Sequence, residues 1–144
     1  MATPSTGAPA PLTQDEMNLA SLAHFLQLGT GPIAALVIYA YKRESRFVAF
    51  HALQAIFLQV VYLAAVFSSF GLLIAAESAR VKPGEGPAAT PPALPFLGLL
   101  AVLFFVGGGF LTIYCAIAFG IKASRGEWAE IPIVGRWALQ KIRA

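Results

Sequence analysis

Charge is scarce in this chain. Asp, Glu, Lys and Arg make up 12% of its 144 residues, while 58% are hydrophobic; a soluble domain carries about 25% charge. A water-soluble fold of this size cannot cover so much apolar surface, so the composition calls for lipid as solvent. Cysteine is all but absent: Cys115, alone in an apolar run, excludes an intramolecular disulfide. No Asp or Glu interrupts the three long apolar runs, which removes the usual proton carrier of a pump. A P-loop, a His-Glu-x-x-His metalloprotease pair, a serine nucleophile elbow and a Cys-x-x-Cys motif are also missing. The expectation is therefore a protein that is not an enzyme and has no cofactor or metal. Lys and Arg are absent from residues 1–12, and the first charges, Asp15 and Glu16, are acidic. A cleaved signal needs a positive start, so the first apolar segment is expected to stay in the mature protein. The ten basic residues lie beside the apolar runs and form no dense patch, which suits phospholipid headgroups and not nucleic acid.

What is present is long and apolar. A helix needs about 20 apolar residues to cross about 30 Å of hydrocarbon. Residues 17–41, 47–76 and 93–121 each exceed that. The expected fold is an all-α membrane protein with three transmembrane helices, the first kinked near Pro32. A Pro/Ala/Thr-rich tail at 1–13 is read as disordered, and 14–144 as one domain with an exposed loop at 77–92. Gly107, Gly108 and Gly109 offer the one place to turn inside the third run, but the halves would be too short to span.

With three crossings, Lys42, Arg43, Arg46 and the basic residues after 121 share one face, eight basic residues to two. The positive-inside rule then places the N-terminus outside and the C-terminus in the cytoplasm, in a bacterial cytoplasmic membrane. The tail at 122–144 carries Trp128 and Trp137 beside Arg136 and Lys141 and reads as an interfacial anchor. Its helix is expected to turn Trp137, Ile142 and Leu139 to lipid.

Inside the runs, Thr13-Gln14-Asp15-Glu16 has the capping-box pattern of a helix start. Pro32, after Gly29-Thr30-Gly31, has no N–H to give and crowds the carbonyl of Leu28. The outcome is a tolerated kink or a broken helix lining a polar cavity. On the second run His51, Tyr62 and Ser69 fall within about 20° of one another and Gln54 about 60° away, a polar stripe. It serves either hydrogen bonds between helices or a water path. Ser21, His24 and Gln27 share a side of the first run. An unbroken first helix puts His24 and His51 about 20 Å apart in depth, which excludes a shared metal or haem within one chain. On the third run Gly108, Gly109, Thr112, Ala116 and Gly120 form a small-residue face suited to close helix packing, within the chain or against a protein partner or second copy.

Leu22-Ala23-His24-Phe25 with Gly31-Pro32, the block Arg46-Phe47-Val48-Ala49-Phe50-His51-Ala52-Leu53-Gln54-Ala55, and Ile121-Lys122-Ala123-Ser124-Arg125-Gly126-Glu127-Trp128 with Ile131-Pro132-Ile133 resemble the Tic20-like family of small bacterial and archaeal membrane proteins. The resemblance covers about residues 19–138. It implies a compact helical membrane domain, largely of unknown function, with plastid relatives associated with protein import. Two functions are expected from the whole: a non-enzymatic accessory or scaffold subunit of a membrane complex, or a component of protein translocation or solute transport.

Overall fold

The computed structural model describes residues 11–80 and 92–143, and these are helical throughout their length apart from turns and one connecting segment. Helix α1 is Gln14–Thr30, α2 Ile33–Lys42, α3 Arg46–Ser78, α4 Ala93–Val102, α5 Gly108–Ser124 and α6 Val134–Arg143. The expected disordered tail and most of the 77–92 loop fall outside the described residues, although α3 itself runs on to Ser78.

Two helices are long and apolar enough to cross a membrane, Arg46–Ser78 and Ala93–Ser124. The third expected crossing, 17–41, is not a kinked span. Its helix stops at Thr30, and α2 folds back beside α1. Gly31 adopts φ 60°, ψ −141°, a region open only to glycine, and the next residue, Pro32, opens α2. The reversal shows in who touches whom. Ala23 of α1 shares a buried cluster with Ala35 and Ile38 of α2, with Leu19 and Tyr39 packed on the same cluster.

At the open end of this hairpin Glu16 closes the predicted capping box. Its carboxylate accepts from the Thr13 backbone N–H at 2.9 Å, and its own N–H donates to Thr13 Oγ1 at 3.2 Å. The Glu16 pKa is held below the usual carboxylate value, first by the Thr13 backbone N–H, then by the Ser45 hydroxyl, with a smaller contribution from Lys42. Ser45 and Lys42 can act on Glu16 only because α2 has returned to the level where α1 began.

This corrects the expected sidedness. Leu12 and Met17 pack with Ala20, Phe47 and Ala123, so the start of α1, the start of α3 and the end of α5 lie together. The N-terminal end of the domain is on the same side as the C-terminal end of α5, not opposite it. A straight first helix would have carried them to opposite faces; the hairpin enters and leaves on one.

The N-terminal third of α3 is the centre of the fold. Every residue from Phe47 to Ile56 is buried, enclosed by α1, α2, α6 and the segment joining α5 to α6. Further along, Val60, Val61, Phe67, Leu72 and Ile74 are exposed, the apolar flank that lipid would cover. Helix α6 lays Ala138, Leu139 and Ile142 on the α3 core. Leu139 and Ile142, expected to face lipid, found an apolar helix nearer by. Trp137 stays half exposed, its ring edge-on to Phe57 at 6.2 Å.

No turn forms at the three consecutive glycines. Leu103–Gly107 instead makes a π-helical segment between α4 and α5. Such a segment loosens the carbonyl ladder, and Tyr62 Oη donates to the Phe105 carbonyl across the gap at 3.1 Å.

Candidate functional site

The buried polar groups gather where α1, α3 and the 127–131 segment meet. His24 and His51 are both 0% exposed. Their rings lie edge to face with centroids 5.4 Å apart, and His24 Nε2 is 3.2 Å from His51 Nδ1. The expectation that these two lie at different depths was wrong, because it assumed an unbroken first helix. The hairpin brings His24 to the level of the first turns of α3.

The proton positions follow from one partner. His51 Nε2 faces the Glu127 carbonyl at 3.1 Å, and a carbonyl only accepts, so Nε2 carries the proton. The Nδ1 of a neutral His51 is then a bare acceptor, and His24 donates to it from Nε2. His24 Nδ1 is left as a buried lone pair with no partner among the described residues. A relay of protons along this chain stops at the Glu127 carbonyl, which cannot pass one on. The arrangement is a staple between α1, α3 and the segment after α5. Groups of three or more His, Cys, Asp or Glu that could hold a metal do not occur among the described residues.

Gln54, also 0% exposed, works the same segment from the next turn of α3. Its Nε2 donates to the Ala129 carbonyl at 3.1 Å and its Oε1 accepts from the Ile131 N–H at 2.6 Å. Phe47 and Phe50 flank His51 with centroids at 4.7 and 5.1 Å, and both rings meet Trp128 at 5.3 Å. The block 46–55 and the block around Trp128 are thus two halves of one clamp.

The remaining stripe residues do not join them. Tyr62 reaches the π segment, and Ser69 Oγ donates to the Ala65 carbonyl of its own helix at 2.6 Å. Of the anchors, Trp128 lies on the clamp, while Arg136 and Lys141 are exposed on α6 with Trp137. The small-residue face of α5 is filled from within the chain. A Cβ on Gly120 would stand 2.8 Å from the Phe25 ring of α1, and one on Gly108 3.0 Å from the Tyr62 ring of α3; one on Gly109 would meet Tyr62 Oη at 3.3 Å. Thr112 and Ala116 between them are buried.

Two residues outside the predicted stripe matter as much. Gln27 and Gln59, 1% and 8% exposed, line a cavity of about 170 Å³ between α1, α3 and α5, with Leu28, Tyr62, Gly109, Thr112 and Ile113. The amide nitrogen and oxygen of Gln27 and the Gln59 amide oxygen lack partners among the described residues. The signal was present as two glutamines inside otherwise apolar runs, but nothing local says that they meet.

Comparison with known proteins corrects the kinship expected from the sequence. A relative from Archaeoglobus fulgidus, named as a UPF0132 membrane protein, is 29% identical over 112 residues, covering 78% of this chain and 84% of its own. No solved structure matches. One family model covers residues 15–138, including all three segments on which the Tic20-like resemblance rested, and no Tic20-like relationship emerges. Those blocks are the packing and clamp residues of the helical domain, and the chain belongs to the MamF/MmsF family, the magnetosome magnetite crystal formation protein family.

Proposed function

We propose that this protein is a non-enzymatic accessory component of a membrane in which magnetite crystals form. The observation that carries the reading is the use made of its buried polar groups. His24, His51 and Gln54 spend their hydrogen bonds holding the hairpin, α3 and the 127–131 segment together, as a scaffold requires. The family's description supplies the process.

In this reading α3 and the α4–α5 helix cross the bilayer, α1 and α2 form a hairpin that dips into it, and the bilayer is the first partner. The described basic residues Lys42, Arg43, Arg46, Lys122 and Arg125 flank helix ends on the hairpin's open side. The positive-inside rule puts that side, with the start of α1 and the end of α5, in the cytoplasm.

The test is complementation in a magnetite-forming bacterium deleted for its own family member, with crystal size measured by electron microscopy. The wild-type chain should restore crystal size. His24→Gln and His51→Gln variants, which keep amide donors and acceptors but remove both imidazoles, should restore it too. Failure of these variants despite normal membrane levels and unchanged melting would overturn the non-enzymatic reading.

A further inference from the structure

We propose that the cavity at the tip of the α1–α2 hairpin binds a monovalent cation. The cavity stands deep in the membrane domain. Gln59 is 13 residues beyond Arg46 on α3, about 20 Å of helical rise, and Gln27 and Leu28 reach its level from α1.

Its lining is rich in lone pairs, beside one unpartnered donor group among the described residues, the Gln27 amide nitrogen. Tyr62 spends its hydroxyl proton on the Phe105 carbonyl and Thr112 spends its own on the Gly108 carbonyl at 2.8 Å. Each oxygen is left with acceptor capacity only. The Gln27 and Gln59 side-chain oxygens have no donor among the described residues, so either amide can turn its oxygen to a guest without breaking a bond at that atom.

The end of α1 points the same way. The C-terminus of a helix carries a partial negative charge and unpaired carbonyls. Here that last turn buries Gln27 and leaves Leu28, Gly29 and Thr30 exposed, it holds no basic residue, and Pro32 has no N–H for the Leu28 carbonyl. Leu28 is on the cavity wall. The opposing positive end of α2 begins beyond the break at Ile33, which is 65% exposed and does not line the cavity.

Charge and size narrow the guest. Among the described residues no carboxylate lines the cavity, and the cost of bringing an ion out of water rises with the square of its charge. A divalent ion therefore meets about four times the desolvation cost with no anion to offset it. Neutral oxygens suit a singly charged ion, either an alkali ion or ammonium. At about 30 Å³ per water, 170 Å³ leaves room for the ion to keep several waters.

The experiment is thermal unfolding of the full chain in detergent or nanodiscs at constant ionic strength. The chloride salts of sodium, potassium, ammonium and the bulky N-methylglucamine cation are compared, with magnesium as the divalent arm. At least one small monovalent cation should raise the midpoint by about 3 °C or more over N-methylglucamine. Gln59→Met and Thr112→Val, which remove an oxygen at nearly constant volume, should each weaken that response while keeping a cooperative transition. Equal midpoints in all the salts would overturn the proposal in favour of water alone. So would a larger rise with magnesium, or a full response in both variants.

Discussion

Replacing Gln54 by Met should loosen the segment between α5 and α6 without disturbing the helices on either side. Met matches Gln closely in volume, so no cavity is added. What is lost is a pair of hydrogen bonds, 3.1 Å to the Ala129 carbonyl and 2.6 Å from the Ile131 N–H. Each buried group left without a partner costs about 1–3 kcal/mol, so the pair costs about 2–6 kcal/mol. Burying a thioether in place of an amide returns about 1–2 kcal/mol. From the middle of each range the net expectation is a loss of about 2–3 kcal/mol. Thermal unfolding in detergent measures the loss, and hydrogen exchange at Ile131 locates it, because that amide should exchange faster once its acceptor is gone. Trp128 gives a third reading in a Trp137→Phe background. Its ring packs on Phe47 and Phe50 at 5.3 Å, and its emission should shift to the red as the segment lifts. An unchanged melting point with unchanged exchange at Ile131 would refute the clamp.

Gly31→Ala should destabilise by about 1–3 kcal/mol, since φ 60°, ψ −141° admits no Cβ without strain; a melting curve matching wild type would mean that the reversal does not use this conformation. Gly135→Ala should cost more than Gly109→Ala, about 1–3 kcal/mol by analogy with overpacked cores. A Cβ at Gly135 meets Glu130 backbone at 3.0 Å, whereas at Gly109 it meets only the tip of Tyr62 at 3.3 Å, and the order of the two melting points checks this. In a Cys115→Ala background, Gln14→Cys and Arg125→Cys should react with an impermeant thiol reagent from one side of the membrane, and Glu77→Cys from the other. Labelling of the Gln14 and Arg125 variants from opposite sides would restore three crossings and dismiss the hairpin.

Residence in a membrane was determined by composition alone, because transfer of apolar side chains into lipid is additive along the chain and needs no knowledge of the fold. The two helices long and apolar enough to cross a membrane, over 46–78 and 93–124, and the Thr13–Glu16 cap at the head of α1 were equally local, each set by residues within a few turns. The break at Gly31-Pro32 was legible as a break; its sense was not. A proline interrupts the hydrogen-bond ladder in a kinked helix and in a hairpin alike, and Gly31 tolerates both. The choice falls to packing between residues far apart in sequence, Ala23 against Ala35 and Ile38, and the pair against α3. From that single choice follow the packing of the start of α1 beside the end of α5, the meeting of His24 with His51, and the cavity that Gln27 and Gln59 share. The two side-chain pairs are each separated by about 30 residues, with contacts whose energies depend on which faces meet, and only the tertiary structure decides that.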